Sequence, residues 1–99
     1  PHQFKATLYA AIMLNKGNQG TIFTGDLYEV YKKICSQTGI RPLTQRRISD
    51  IVAEFDMLGI INAKVISKGR YGRTREITLA IPQQIEQKIK EIIAKDLNL

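Results

Sequence analysis

One cysteine, Cys35, and one histidine, His2, occur in the 99 residues. A single thiol excludes an internal disulfide, and one Cys with one His cannot assemble a Cys/His zinc site. A reducing, cytoplasmic setting is expected. No apolar run approaches the roughly 20 residues of a membrane-spanning helix, and no secretory signal is present, so no membrane partner is expected. Gly17, Gly20 and Gly25 are not followed by Gly-Lys-Ser/Thr at phosphate-loop spacing, which excludes ATP binding by that motif. The acids Asp26, Glu29, Asp50, Glu54 and Asp56 have no histidine near them in sequence to build a proton relay. His2 lies near a terminus, where exposure is expected rather than catalysis. No enzymatic activity, metal or cofactor is therefore expected of this chain. Internal repeats, low-complexity tracts and linkers are also lacking. A chain of this length forms one domain with a modest core, expected here to span residues 1–99. Pro1 stands where an initiator methionine would, which suggests a piece of a longer protein.

Acids are scarce in one region, and that scarcity locates the charge. The formal net charge is +6. Residues 41–75 hold eight Lys and Arg against three acids, whereas residues 1–40 net +2 and residues 76–99 net −1. Charge gathered in one segment suggests one basic face and a polyanionic partner. Its densest part is Lys68-Gly-Arg-Tyr-Gly-Arg-Thr-Arg75, with four cations, two glycines and one aromatic in eight residues. The flanks Ile60–Ile66 and Glu76–Ile81 read as strands, so the basic stretch is expected at the tip of a β-hairpin. Glycines there permit the positive φ values and close approaches of a turn beside a ligand. A solvated turn that aids solubility is the alternative reading.

The other segments alternate between helical periodicity and breakers. Phe4 to Leu14 reads as a largely buried first helix, ended by the Gly- and Asn-rich stretch at 15–20, and Thr21-Ile22-Phe23 is a short β-prone run. Thr24 is a candidate cap for a second helix, with Asp26 in its first turn. Leu27, Val30, Tyr31, Ile34 and Cys35 form that helix's buried stripe, and Gly39 closes it. After the connector Ile40–Leu43, Thr44 is the next cap. Ile48, Ile51, Val52, Phe55 and Leu58 form a third helical stripe, ended by Gly59. Pro82 opens a last helix with Ile85, Ile89, Ile92 and Ile93 on one face, and the pairs Glu86/Lys90 and Glu91/Lys95 support its solvent side. The expected fold is α+β: a winged helix-turn-helix with a three-helix core, a β-hairpin wing and a C-terminal helix.

The third helix contains a local conflict. Arg46 and Arg47 lie in its first turn, at the positive end of the helix dipole, where each cation costs a few tenths of a kcal/mol to about 1 kcal/mol. A helical wheel with the apolar stripe inward places Arg46, Asp50 and Ala53 near the outward centre, Ser49 beside them, and Gln45 and Arg47 on opposite flanks. Met57 also projects outward. If this face meets DNA, the arginines and the helix N-terminus bind phosphates, and Arg or Gln reaches base edges in the major groove. The alternative is a solvated face in which Arg46 pairs with Asp50 at i+4. Asp50 repels phosphate, so on a DNA-binding face its role is to orient Arg46 or to disfavour wrong bases.

Three stretches taken together, Pro42-Leu-Thr-Gln-Arg-Arg-Ile-Ser-Asp50, Asp56-Met-Leu-Gly-Ile-Ile-Asn62 and the basic run from Lys68 into Glu76 and Ile77, resemble the C-terminal winged-helix domain of archaeal replication initiators related to the origin-recognition and cell-division-cycle proteins. Thr24-Gly-Asp-Leu-Tyr-Glu-Val-Tyr31 extends the resemblance over most of the chain. That family joins an AAA+ ATPase module to this domain and binds double-stranded origin DNA to promote replication start and helicase loading. The resemblance implies a nucleoid-associated protein whose partners are origin duplexes and other replication proteins. The implied DNA-binding residues are Thr44, Gln45, Arg46, Arg47 and Ser49 of the recognition helix, entering the major groove. Lys68, Arg70, Tyr71, Gly72, Arg73 and Arg75 of the wing would reach the neighbouring minor groove. Two other classes remain open: a winged helix whose basic wing docks an acidic protein, and a dimeric transcription regulator that pairs through its last helix. RNA binding suits a major-groove helix less well, because the RNA major groove is narrow.

Overall fold

A computed structural model describes residues 2–18, 22–67 and 73–99, with side chains omitted at 16–18, 67 and 73. The described chain runs α1 (His2–Asn18), β1 (Ile22–Phe23), α2 (Thr24–Thr38), α3 (Gln45–Met57), β2 (Ile61–Ser67), β3 (Arg73–Leu79) and α4 (Gln83–Leu97). The strands form one antiparallel sheet in the order β1-β3-β2. The helix-turn-helix, the hairpin and the C-terminal helix are all present, so the architecture is the expected winged helix.

The core forms where the stripes of three helices meet the inner face of the sheet. Ala6, Ala10 and Ala11 of α1 are buried, and their small side chains let neighbouring elements approach. Against them pack Leu27, Tyr31, Ile34 and Cys35 of α2, Ile48, Ile51, Val52 and Phe55 of α3, and Ile22, Ile61 and Ile77 of the sheet. Phe4 meets Phe55 edge to face, with ring centroids 5.7 Å apart. Gly39 and Gly59 follow α2 and α3 with φ of 75° and 77°, left-handed values that explain glycine at both helix ends.

Two local expectations are corrected. Thr24 does not cap α2; it is the first residue of that helix, and Phe23 occupies the cap position without a capping side-chain hydrogen bond. The β1–β3 register pairs Ile22 with Ile77 and Phe23 with Glu76, so Thr24 stands at the next position, opposite Arg75. As the backbone turns into α2 there, the Thr24 hydroxyl takes over the strand's role: it accepts from Arg75 N–H at 3.2 Å and donates to Arg75 C=O at 3.3 Å. Leu58 is not in the buried stripe but 65% exposed, because α3 ends at Met57 and the chain leaves toward Gly59.

The phase of α4 also differs from the expected one. Ile85 and Ile92 are about half exposed, while Glu86, Ile93 and Leu97 are buried. Docking on α1 sets this phase. Lys5 pairs with Asp96 at 3.0 Å, and Asn15 Nδ2 donates to the Glu86 carboxylate at 3.3 and 3.4 Å, so the two helices run antiparallel. Burying Glu86 is tolerated because an amide partners it. Neither Glu86/Lys90 nor Glu91/Lys95 is an ion pair among the described residues; those pairs are Lys5–Asp96 and Lys32–Glu29.

Cys35 is 1% exposed, and burial pushes its thiol pKa up, which keeps it protonated and unreactive. Its role is packing, as expected. Cys35→Ala should lower unfolding free energy by on the order of 1 kcal/mol in denaturant titrations, with helix content unchanged by circular dichroism. No loss of stability would remove Cys35 from the core.

Candidate nucleic-acid interface

The start of α3 is fixed from beneath by two tyrosines of α2. Tyr31, fully buried, donates its hydroxyl to Gln3 Oε1 and accepts from Leu43 N–H at 2.8 Å. Tyr28 donates to Leu43 C=O at 2.9 Å, and Gln3 Nε2 donates to Arg41 C=O at 2.9 Å. The two tyrosine rings stack at 5.9 Å. Main-chain groups of the α2–α3 turn are thereby satisfied by side chains from two helices, which holds the turn in one shape. Burial drives the Tyr31 pKa up to about 12, against a smaller downward effect of the Leu43 amide. In the sequence Tyr31 registered only as an apolar stripe residue. The signal for its second role is the Tyr28/Tyr31 spacing, which puts two hydroxyls on the side facing the connector.

Beyond this turn, Thr44 caps α3 by accepting from Arg47 N–H at 3.3 Å, as expected. The first turn contains no acid, and Gln45, Arg46 and Arg47 are exposed. Arg46 and Asp50 form no ion pair among the described residues, which removes the main support for the internally paired face. The two flanks of α3 differ. Toward the sheet, Gln45 and Ser49 line a groove of about 340 Å³ with Thr24, Val65, Thr74 and Arg75. Toward α1, Arg47, Asp50 and Glu54 border a wider hollow of about 650 Å³ with Gln3, Phe4, Leu43 and Ile51. Asp50 and Glu54 therefore lie on the α1 side, away from the wing, while Asp56 faces β2. Ala53 is half-buried, and Met57 is 87% exposed, as the wheel placed it.

The structure revises the extent of the wing tip. Strand β2 reaches Ser67 and β3 begins at Arg73, pairing Ser67 with Arg73 and Val65 with Arg75. Arg73 and Arg75 are thus strand residues rather than loop residues. Arg75 is half-buried, and its guanidinium Nη1 donates to the main-chain oxygen of Ser49 in α3. Lys68, Arg70, Tyr71 and Gly72 lie outside the described residues, as does the Arg73 side chain. Among the described residues, the expected site residues Gln45, Ser49 and Arg75 come together around one groove, and Thr44, Arg46 and Arg47 form the adjoining exposed helix start.

The family described as "CDC6, C terminal winged helix domain" matches residues 1–88. The ORC1-type DNA replication protein of Pyrococcus furiosus is 48% identical over 99 residues, covering 100% of this chain and 23% of that protein. Its counterpart from Thermococcus onnurineus is 50% identical with the same coverage. The Aeropyrum pernix ORC1 protein, solved in complex with DNA, superposes with a TM-score of 0.83 at 38% identity, covering 97% of this chain and 24% of that one. Cdc6p from Pyrobaculum aerophilum, at 22% identity and a TM-score of 0.77 over 98% of this chain and 24% of that one, shares the fold. The chain spans about a quarter of the length of each of these relatives.

Burial of the Tyr31 hydroxyl generates a testable pH signature. Below pH 10 the phenol is protonated in both folded and unfolded chains, and its contribution to stability is fully present. Between the unfolded value of 10.0 and the folded value of about 12, the unfolded chain ionises first, so stability falls as pH rises. The fall amounts to on the order of 2–3 kcal/mol. Tyr31→Phe should be less stable near neutrality by about 1–3 kcal/mol, since Leu43 N–H loses its partner. Its deficit relative to the parent should shrink from pH 10 to 12, read from denaturant midpoints at each pH. A constant deficit across that range would show that the phenol is not buried in the folded chain.

Proposed function

The chain belongs to the CDC6 C-terminal winged-helix domain family, and from that premise we propose that it binds double-stranded DNA at replication origins. In this reading it takes no part in catalysis, needs no cofactor and acts in the cytoplasm on the nucleoid. The single observation that carries the proposal is the exposed N-terminal turn of α3, where Gln45, Arg46 and Arg47 project without an acid to balance them. Two arginines at the positive end of a helix dipole oppose helix stability, and a phosphate backbone reverses the sign of that interaction. The Aeropyrum pernix relative, solved with DNA, supports the same assignment.

Each side chain then has a role. Arg46, at the outward centre, reaches base edges in the major groove, where Arg recognises guanine. Arg47 and the α3 amide groups take phosphate. Thr44 uses its oxygen to cap α3 and keeps its hydroxyl proton for a phosphate oxygen. Gln45 and Ser49, beside the wing, contact the strand that passes through the groove. Lys68, Arg70 and Arg73 neutralise phosphates at the neighbouring minor groove. Tyr71 packs on sugar, and Gly72 allows close approach. Asp50, on the flank with Glu54, orients Arg46 or rejects wrong bases. Nucleotide control and part of the affinity belong to the AAA+ module that the family joins to this domain.

A footprint on genomic DNA would identify the site. On a duplex carrying that site, Arg46→Ala should weaken binding by about 1–3 kcal/mol more than on a random duplex. Equal losses on both would move Arg46 to the phosphate backbone. Alanine at Arg70 and Arg73 together should weaken binding to all duplexes and flatten the slope of log K against log salt by about 1.8, one phosphate contact being lost per arginine. Unchanged affinity and slope in a variant folded by circular dichroism would instead favour a wing that docks an acidic protein.

A further inference from the structure

We infer that Arg75 is a positioning residue that holds the wing against the recognition helix through Ser49 and Thr24, rather than one of the wing's phosphate contacts. The inference deepens the DNA-binding reading and rests on it for its consequence at DNA, although the bracket itself is a property of the free protein.

Arg75 connects three elements. Its guanidinium crosses the groove from β3 to the Ser49 carbonyl in the middle of α3. A helical carbonyl has a second lone pair beyond its intrahelical bond, so Ser49 accepts this donor without giving up helix structure. The Arg75 main chain is held on its other side by Thr24, the first residue of α2, whose hydroxyl bonds both its N–H and its C=O. Thr24 is 5% exposed and Arg75 is half-buried, so these bonds lie in a partly dry seam where they are stronger than at an open surface. One residue therefore ties the wing strand to both helices of the helix-turn-helix.

The geometry has a functional reason. Reading a major groove with α3 and the adjacent minor groove with the hairpin requires a fixed separation between the two, and α3 and β2 meet close to the hairpin base, where Asp56 Oδ1 accepts from Ala63 N–H at 3.1 Å. A hairpin anchored only at its base could swing. The Arg75 bond sits further along the strand, opposite Val65, and removes that freedom. Committing the guanidinium to Ser49 also explains why this arginine, unlike Arg46 and Arg47, is not exposed.

Three variants of the chain test the assignment: Arg75→Ala, Arg75→Lys, which keeps the charge but not the planar fork, and Thr24→Val, which changes no charge. In the DNA-free protein, amide hydrogen exchange at Thr74, Arg75 and Glu76 should accelerate by about tenfold in all three, relative to the central amides of α2, as expected for loss of a local tie. Affinity for a duplex at fixed salt should fall by about tenfold in all three, lysine giving no rescue. Arg75 would instead be a phosphate contact if lysine restored parental affinity while alanine lost it and flattened the salt slope by about 0.9. Unchanged β3 exchange in Arg75→Ala overturns the bracket whatever the DNA titrations show. Failure of the parent chain to bind any duplex would refute the DNA-binding role and leave the exchange result to decide the bracket alone.

Discussion

A buried phenol determines where α3 begins. Tyr31 is the largest fully buried side chain, and its hydroxyl lies at the junction of α1, α2 and the turn before α3. A polar oxygen in that position is tolerated only if both its proton and a lone pair are used, and Gln3 and Leu43 use them. Because the Leu43 amide must point down at Tyr31 and its carbonyl at Tyr28, the turn has little freedom. Thr44 then falls at the cap position, α3 starts at Gln45, and the phase of the helix follows from Ile48, Ile51, Val52 and Phe55 entering the core. Exposure of Arg46 is a consequence of that chain of constraints.

The same constraints explain which parts of the molecule were legible in the sequence. Element order, the Thr44 cap, the glycine that closes α2 and, Leu58 apart, the apolar stripes of α2 and α3 are local properties, set by residues within two turns of one another, and they read correctly. The α4 phase did not. Isoleucines at 85, 89, 92 and 93 span an arc of about 100° and read as one face, but the buried arc is rotated toward Glu86, Ile93 and Leu97, and the choice was made by Asn15, 71 positions away, which partners Glu86 and brings a carboxylate inside. Thr24 misled for a similar reason. A threonine before a helical pattern is a sound cap signal, yet its hydroxyl went to a strand 51 residues later because β1 ends one position short of the Arg75 peptide. In the candidate site, the arginines of α3 were visible as a conflict with the helix dipole. The inward commitment of Arg75 was not, since nothing local distinguishes it from the other cations of its run.

The charges on α3 oppose the helix's own stability. A helix of 13 residues with two arginines in its first turn and no basic residue in its last opposes its macrodipole at both ends. The Thr44 cap and four buried apolar side chains more than offset that penalty, each buried aliphatic or aromatic group contributing about 1.5–3 kcal/mol against at most about 1 kcal/mol per misplaced charge. Stability therefore comes from the inner face, which leaves the outer face free to carry an arrangement that would be unfavourable in an isolated helix.

Three attachments hold that helix, and none uses its outward centre. At its start, Thr44 and the tyrosine-pinned turn fix the N-terminus. At its end, Ile60 N–H returns to Phe55 C=O at 3.0 Å and Asp56 takes the Ala63 amide. Between them, Arg75 reaches Ser49. A helix fixed at both ends and near its middle loses little conformational freedom when it meets a partner, so the ordering term in association falls mainly on long side chains such as Arg46, at about 0.5–1.5 kcal/mol each. On the proposed DNA-binding role, discrimination among duplexes would depend on whether those side chains find hydrogen-bonding edges that repay their own immobilisation, and not on any rearrangement of the scaffold beneath them.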